Sequence, residues 1–292
     1  MKQLLILSGK GGTGKTTVAG AFIRLSQARA YADCDVDAPN LHLSLAQQGT
    51  AERTDYYGMP KAQIDAEKCT GCGVCLENCR FGAITSENGY AVDSFSCEGC
   101  GVCEAVCPAK AVSMHPAVAG EQMLYSGARS VFSTARLKMG SGASGKLVTD
   151  VKRRMLSAAL PETTLAVIDG SPGIGCPVIA SLSGVSMVLI VAEPSLSGIS
   201  DMERILHTAE IFHTTVCVCV NKADVNLELT GRIEGFCCEQ RIPFAGRIPF
   251  DPQAAAAVNS GKTIADVDCP SGRAVKQVYK ETMRFMGFAQ SE

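Results

Sequence analysis

Residues 3–17 read QLLILSGKGGTGKTT, and this stretch decides the fold. QLLILS (3–8) is typical of a short buried strand, and KTTVAGAFIRLSQ (15–27) is typical of a helix. Between them, residues 9–16 fit the pattern G-x-x-x-x-G-K-[ST], whose backbone N–H groups close around phosphate oxygens at a helix N-terminus. The sequence therefore predicts a phosphate-binding loop. A glycine-rich turn without a ligand is the alternative, and the combination of strand, Lys-Thr pair and helix disfavours it.

Two side chains of this loop have predicted roles in phosphate chemistry. We expect Lys15 to reach the β- and γ-phosphates and Thr16 to ligate Mg²⁺. The remaining predicted contacts to the nucleotide share the loop and the first helical turn, and they are Gly9, Gly11, Gly12, Thr13, Gly14 and Thr17.

The rest of the chain outside residues 60–117 alternates strands with helices. Apolar runs of parallel-strand length occur at 165–170, 187–192 and 215–221, and amphipathic helices are predicted at 197–212 and 274–287. This order predicts an α/β fold with a doubly wound, mostly parallel sheet and a ligand at the carboxyl ends of its strands. We expect a hairpin over 121–139 and a helix over 141–156 capped by Ser144. This segment would either connect residues 60–117 back to the sheet or form a partner-binding surface.

Eight cysteines form two runs with the same spacing, C-x₂-C-x₂-C-x₃-C, and a period of 28 residues. In the bacterial two-cluster ferredoxin pattern, the fourth cysteine of each run ligates the cluster of the other run. One 4Fe–4S cluster is therefore predicted on Cys69, Cys72, Cys75 and Cys107, and a second on Cys97, Cys100, Cys103 and Cys79. Zinc is the competing metal. Cys107 is followed by Pro108, as the pattern requires, whereas Cys79 is followed by Arg80.

The repeat sets the predicted domain boundaries. An α+β ferredoxin-like domain at 60–117 would be inserted into a discontinuous nucleotide-binding domain formed by 1–59 and 118–292.

Three motifs carry a family resemblance: KGGTGKTT (10–17), DCDVDAPN (33–40) and IDGSPGIGCPV (168–178). Together with the cysteine repeat, they resemble the MinD/Mrp-like P-loop ATPases with a deviant Walker A loop and an inserted two-cluster ferredoxin domain. These proteins are often labelled cobyrinic acid a,c-diamide synthase-like and are related to the nitrogenase iron protein. The synthase label does not fit, because no glutaminase segment or amidation nucleophile is apparent.

The resemblance implies roles for individual residues. Lys10 would cross to the nucleotide of a partner subunit, so that ATP binding closes a homodimer. Asp33 and Asp35 would belong to switch I, with Asp35 orienting the attacking water or the Mg²⁺ shell. Asp169 would contact Mg²⁺ through water, and Gly173 would lie close to the γ-phosphate.

At the base-binding end, the resemblance implies that Asn221 touches adenine and that backbone near Pro249 lines the base. VNKAD (220–224) also has the N-K-x-D spacing by which many GTPases read guanine. ATP is the predicted nucleotide, and GTP is the alternative. Cys176 is either a ligand of a bridging cluster, as in the nitrogenase iron protein, or a buried thiol, and Cys217 and Cys219 are predicted core residues.

Composition narrows the function class. The net charge of −2 does not indicate a nucleic-acid-binding surface, and the longest apolar run (185–192) is too short to span a bilayer. No secretory signal is visible, so we expect a cytoplasmic protein whose clustered cysteines bind metal.

The favoured hypothesis is a dimeric ATPase that couples ATP hydrolysis to electron transfer toward a redox partner protein. An ATP-driven assembly factor that passes a cluster or metallocofactor to an acceptor protein is the alternative. A MinD-like positioning switch with a redox sensor is the third, which the mixed charges of the last helix disfavour. Because the insert follows switch I, movement of that switch is expected to reposition the clusters.

Overall fold

The computed structural model describes residues 1–45 and 50–288. Its strands are β1 (Lys2–Leu7), β2 (Ala30–Asp33), β3 (Glu52–Tyr57), β4 (Lys61–Ile64), β5 (Ile84–Thr85), β6 (Ala91–Val92), β7 (Val112–His115), β8 (Val118–Ser126), β9 (Val131–Leu137), β10 (Leu165–Asp169), β11 (Met187–Ala192), β12 (Thr215–Asn221) and β13 (Phe244–Ile248). Its helices are α1 (Lys15–Ser26), α2 (Val74–Glu77), α3 (Val102–Ala105), α4 (Ser144–Ala158), α5 (Cys176–Leu182), α6 (Leu196–Ile211), α7 (Leu227–Glu239), α8 (Pro252–Asn259) and α9 (Pro270–Phe285).

In the described part of the chain, nine strands form one sheet in the order β13-β12-β11-β1-β10-β2-β9-β8-β3. Pairing is parallel from β13 to β9, and the crossovers between these strands are mostly helical. Every residue of β10 and β11 is buried, which is why both read as continuous apolar runs rather than alternating ones. The predicted α/β fold with a mostly parallel sheet is confirmed.

The chain divides into two compact units. The first contains residues 1–53, 123–135 and 145–292, and the second contains 54–122 and 136–144. In the first unit, α1 and α9 share a core in which the rings of Phe22 and Tyr279 meet edge to face at 5.2 Å between centroids. Among the described residues, no helix is long and apolar enough to cross a membrane.

The second unit contains two small antiparallel sheets, β4 with β7 and β5 with β6, and the short helices α2 and α3. Its backbone reproduces the sequence repeat. Asp65 N donates to Ala111 O at 2.8 Å, and Asp93 N donates to Ala83 O at 2.7 Å. The cluster of apolar side chains around these sheets includes five of the eight repeat cysteines, namely Cys75, Cys79, Cys97, Cys103 and Cys107.

The segment after the insert matches its prediction in one respect and departs from it in another. β8 and β9 are neighbours in the sheet joined by residues 127–130, so the predicted hairpin is confirmed. The predicted N-cap at Ser144 is wrong by one position, because Ser144 is the first residue of α4. The preceding residue, Ala143, has a left-handed backbone (φ 67°) and turns the chain into the helix.

Candidate functional site

The loop between β1 and α1 is closed by side chains from the end of β12 and the residue after it. Gly12 and Gly14 have positive φ angles of 80° and 92°. Asn221 donates from Nδ2 to the carbonyl of Thr13 at 2.6 Å, and a Cβ on Gly14 would lie 2.2 Å from that same nitrogen. Gly14 is therefore required twice, by its backbone conformation and by the amide of Asn221 that lies against it.

The lysine of the loop is paired with the carboxylate that ends β10. Lys15 Nζ lies 2.5 Å from Asp169 Oδ1, with side chains 6% and 0% exposed. Burial lowers the pKa of Lys15, but the neighbouring carboxylates of Asp169, Asp33 and Asp35 outweigh it and raise the pKa. Two buried oxygens at this site, Asp169 Oδ2 and Thr13 Oγ1, have no hydrogen-bond partner among the residues that the structure describes.

Asp33, at the end of β2, uses its carboxylate to shape the following loop. It accepts hydrogen bonds from the backbone N–H groups of Asp35, Asn40 and Leu41 at 2.9–3.0 Å. Burial and the charge of Asp169 raise the pKa of Asp33 to about 7. Burial also raises the pKa of Asp35, which is half-buried. Asp35 lies on the loop whose backbone N–H groups donate to Asp33, and the charges of Lys15 and Asp169 act on its carboxylate.

The turn after β10 lies beside the same loop. Gly173 N donates to Ser8 O at 3.0 Å, and Ser171 Oγ donates to Cys34 O at 2.5 Å. The predicted switch residues thus meet at the carboxyl ends of β1, β2 and β10, as the doubly wound topology requires. Gly9 packs against Asp201, Gly11 is exposed, and Thr16 and Thr17 are half-buried in the first turn of α1.

Lys10 is held by a network that sequence reasoning missed. Its Nζ lies 2.8 Å from Glu193 Oε2 and within 3.4 Å of the hydroxyls of Ser195 and Ser197. Glu193 also accepts from Lys222 Nζ at 3.1 Å, and Lys222 in turn donates to Gly12 O at 2.9 Å. The two lysines lower the pKa of Glu193. The signal available in the sequence was an acidic residue directly after β11, a position that faces the loop.

At the predicted base-binding end, the side chains of Asn221 and Asp224 from the N-K-x-D pattern both bond to the protein backbone. The carboxylate of Asp224 accepts from Phe250 N at 2.6 Å, next to Pro249. Asn221 reaches the loop carbonyl of Thr13.

The eight repeat cysteines surround two cavities in the second unit. One cavity is lined by the set Cys69, Cys72, Cys75 and Cys107. The other is lined by Cys79, Cys97, Cys100 and Cys103. Each cavity has a volume of about 20 Å³. Within residues 1–45 and 50–288, no three His, Cys, Asp or Glu side chains converge as ligands of a single metal ion.

Backbone amides point at one sulfur in each set. Ala111 N lies 3.2 Å from Cys107 Sγ, and Ala83 N lies 3.4 Å from Cys79 Sγ. Such N–H groups stabilise negative charge on sulfur.

The cysteines outside the repeat behave in two ways. Cys217 and Cys219 are fully buried in the core, as predicted. The buried-thiol interpretation of Cys176 is wrong, because Cys176 is exposed as the first residue of α5.

The comparisons with known proteins agree with this geometry. Residues 4–264 match the family model described as the CobQ/CobB/MinD/ParA nucleotide binding domain. The uncharacterized protein MJ0578 of Methanocaldococcus jannaschii is 28% identical over 97% of both chains.

Two solved structures share the fold. One is the septum site-determining protein MinD complexed with Mg-ADP from Pyrococcus horikoshii (TM-score 0.59, 15% identity, 98% of this chain and 97% of that one). The other is the Cyanothece McdA(D38A)-ATP complex (TM-score 0.60, 16% identity, 100% and 98%). Because the family model covers most of the chain, this protein belongs to the CobQ/CobB/MinD/ParA nucleotide-binding family and is a P-loop ATPase of the MinD/ParA type.

Proposed function

We propose that this ATPase acts as a homodimer and couples ATP binding and hydrolysis to electron transfer through two 4Fe–4S clusters. The observation that supports the clusters most directly is the composition of the two cavities. Each contains three cysteines of one run and the fourth cysteine of the other, which is the interleaved ligand set of a two-cluster ferredoxin. The proposed domain division follows, with the ferredoxin-like part at 60–117 inside the second unit.

The residues around the cavities fit a cluster better than zinc. A tetrahedral zinc ion needs four sulfurs around one point, whereas a cubane cluster places them around its own volume. The sulfurs do not converge as ligands of one ion in the described chain, and they border cavities instead. A bound cluster supplies a one-electron acceptor. The chain supplies thiolates, amides directed at sulfur and an apolar lining.

The phosphate site fits ATP and Mg²⁺. Lys15 would exchange part of its contact with Asp169 for phosphate oxygens, Thr16 would ligate the metal, and the unpartnered Oδ2 of Asp169 would accept from a metal-bound water. Asp35 would orient the attacking water, with Gly173 near the γ-phosphate. The Mg-ADP and ATP in the two related structures support this choice of ligands.

Lys10 is the proposed link between hydrolysis and dimerisation. It is partly exposed, at 38%, and so is Glu193, at 21%, while its bond to Ser197 is exposed and its bond to Ser195 is half-buried. Exposed pairs of this kind contribute about 1 kcal/mol or less, so Lys10 is free to exchange Glu193 for a nucleotide across a dimer interface.

Anaerobic purification tests the clusters. Wild-type protein should contain about eight iron and eight sulfide per chain. Cys107→Ser should lower the iron content toward about four and remove one cluster signal from the EPR spectrum of the reduced protein. Cys238→Ser is the matched control, because Cys238 is exposed and lies outside both cavities. Zinc without iron would overturn the proposal.

One observation favours cluster delivery as a second function. In each set one ligand cysteine is exposed, Cys72 in the first and Cys100 in the second. An exposed ligand is accessible to thiols of an acceptor protein. Loss of cluster absorbance to an apo-ferredoxin in the presence of ATP, with unchanged cluster potentials, would establish assembly in place of electron transfer.

Nucleotide choice is tested separately. Titration with fluorescent ATP and GTP analogues should give tighter binding for ATP, and the reverse order would assign the Asn221–Asp224 segment to guanine.

A further inference from the structure

The two halves of the cysteine repeat allow a residue-by-residue comparison of the two cavities. Positions 28 apart are equivalent, so the first cavity's lining residues Ile64, Ala111 and Val112 correspond to Val92, Ala83 and Ile84 in the second. These pairs are alike in size and polarity. Because these positions match, a difference in the properties of the two cavities must come from the positions that do not match.

The residue after the first cysteine of each run differs in charge. Thr70 follows Cys69 and lines the first cavity, whereas Glu98 follows Cys97 and lines the second. A second position differs in polarity, because Tyr90 lines the first cavity and its equivalent in the second is Ala62. The first cavity therefore has two hydroxyl groups where the second has a carboxylate and a methyl group.

These differences act in one direction on a redox group. A carboxylate beside a cluster disfavours an added electron, and a hydroxyl or N–H dipole directed at its sulfurs favours one. The equivalent amide contacts, Ala111 N to Cys107 Sγ (3.2 Å) and Ala83 N to Cys79 Sγ (3.4 Å), are similar in the two sets and do not distinguish the clusters.

Each fourth cysteine has a cation close to it in the sequence. Arg80 follows Cys79 directly, and Lys110 lies three residues after Cys107. Lys61 acts in the opposite sense to Glu98, because its Nζ donates to the carbonyl of Cys97. Lys61 does not line the cavity, whereas Glu98 does.

We propose that Glu98 and its counterpart Thr70 make the two clusters inequivalent, so that the cluster held by Cys97, Cys100, Cys103 and Cys79 has the lower reduction potential. This rests on the proposed function, since it requires both clusters to be bound. An electron delivered by a one-electron donor protein would then settle on the first cluster, and the second would become reduced only by a stronger donor. Each reduction adds one electron to one cluster, with no bond formed or broken.

The test is an anaerobic redox titration with dithionite and mediator dyes, monitored by EPR. Wild-type protein should show two separate one-electron steps. Glu98→Thr should raise the lower potential and narrow the gap, and Thr70→Glu should lower the higher potential. Tyr90→Phe should lower the higher potential by a smaller amount.

The possible results distinguish a failure of the proposed clusters from a failure of the proposed difference between their reduction potentials. Protein without iron would refute the clusters themselves. Fully loaded protein with a single two-electron step, or with a lower potential unmoved in Glu98→Thr, would overturn the inference and leave the clusters standing. Iron and sulfide analysis of every variant shows whether a changed titration reflects lost clusters or shifted potentials.

Discussion

The close approach of Gly14 to Asn221 gives a sharp test of how the phosphate loop is built. Ala at position 14 would need a φ near +92° and would place its Cβ 2.2 Å from Asn221 Nδ2. The left-handed backbone costs an L-residue about 1–2 kcal/mol. Displacing Asn221 also removes its 2.6 Å hydrogen bond to Thr13 O, a loss of about 0.5–1.5 kcal/mol. Gly14→Ala should therefore lower the free energy of unfolding by about 2–3 kcal/mol.

Gly12→Ala is the matched control. Gly12 has a similar φ of 80°, but a Cβ there would meet nothing within 4 Å. Gly12→Ala should lower the free energy of unfolding only by the cost of the left-handed backbone, about 1–2 kcal/mol. The difference between the two variants, about 1 kcal/mol, measures the contact with Asn221.

Urea denaturation in the absence of nucleotide, followed by circular dichroism, provides both free energies. Asn221→Ala completes a double-mutant cycle, because removing the amide should cost much less in the Gly14→Ala background than in the wild type. Equal losses for Gly12→Ala and Gly14→Ala, or additive effects in the cycle, would show that the Asn221 contact does not shape the loop.

Three further predictions concern charged groups of the same site. Lys15→Met leaves the buried Asp169 carboxylate unpaired, so the nucleotide-free protein should lose about 3–5 kcal/mol of stability in the same urea assay, and an unchanged midpoint would contradict the pairing. Asp33 has a pKa raised to about 7 in the folded protein, against 3.8 for an ordinary aspartate, so its contribution to stability is greatest below pH 4 and falls as pH rises to 7. Asp33→Asn should remove this part of the pH dependence of the free energy of unfolding. If that free energy changes with pH in the same way in both proteins, the prediction is refuted. Lys10→Ala should change the free energy of unfolding by no more than about 1 kcal/mol. It should lower the rate of ATP hydrolysis by on the order of 10³-fold. A variant with full activity that still forms ATP-dependent dimers in sedimentation would exclude a role for Lys10 across the interface.

The features predicted from sequence are those that depend on residues close together in the chain. The loop, its lysine and the strand before it are consecutive, and the pairing of cysteine sets follows from the repeat of one unit. The network around Lys10 was not predictable in this way, because Glu193 is 183 positions further along and reaches the loop only through the order of strands in the sheet. Asp33 shows a related limit. The D-x-D pattern indicated a switch segment, but only the fold shows that its carboxylate accepts from three backbone amides.

The path of the chain after the insert bears on coupling between nucleotide and cysteines. Residues 136–144 belong to the second unit and continue directly into α4 of the first. On α4, the buried ammonium of Lys152 donates to Ser181 O and Ser183 O, both at 2.6 Å, and so holds the end of α5. Helix α5 begins one residue after Gly175, in the turn that carries Gly173.

Burial lowers the pKa of Lys152, whereas the carbonyls at the helix C-terminus, to which its Nζ donates, favour a cation. A shift of the Gly173 turn on phosphate binding would therefore move α5 and, through Lys152, α4. Because α4 is covalently continuous with the unit that holds the eight repeat cysteines, the return connection is a second covalent route from the nucleotide site to that unit, besides the one on the switch I side.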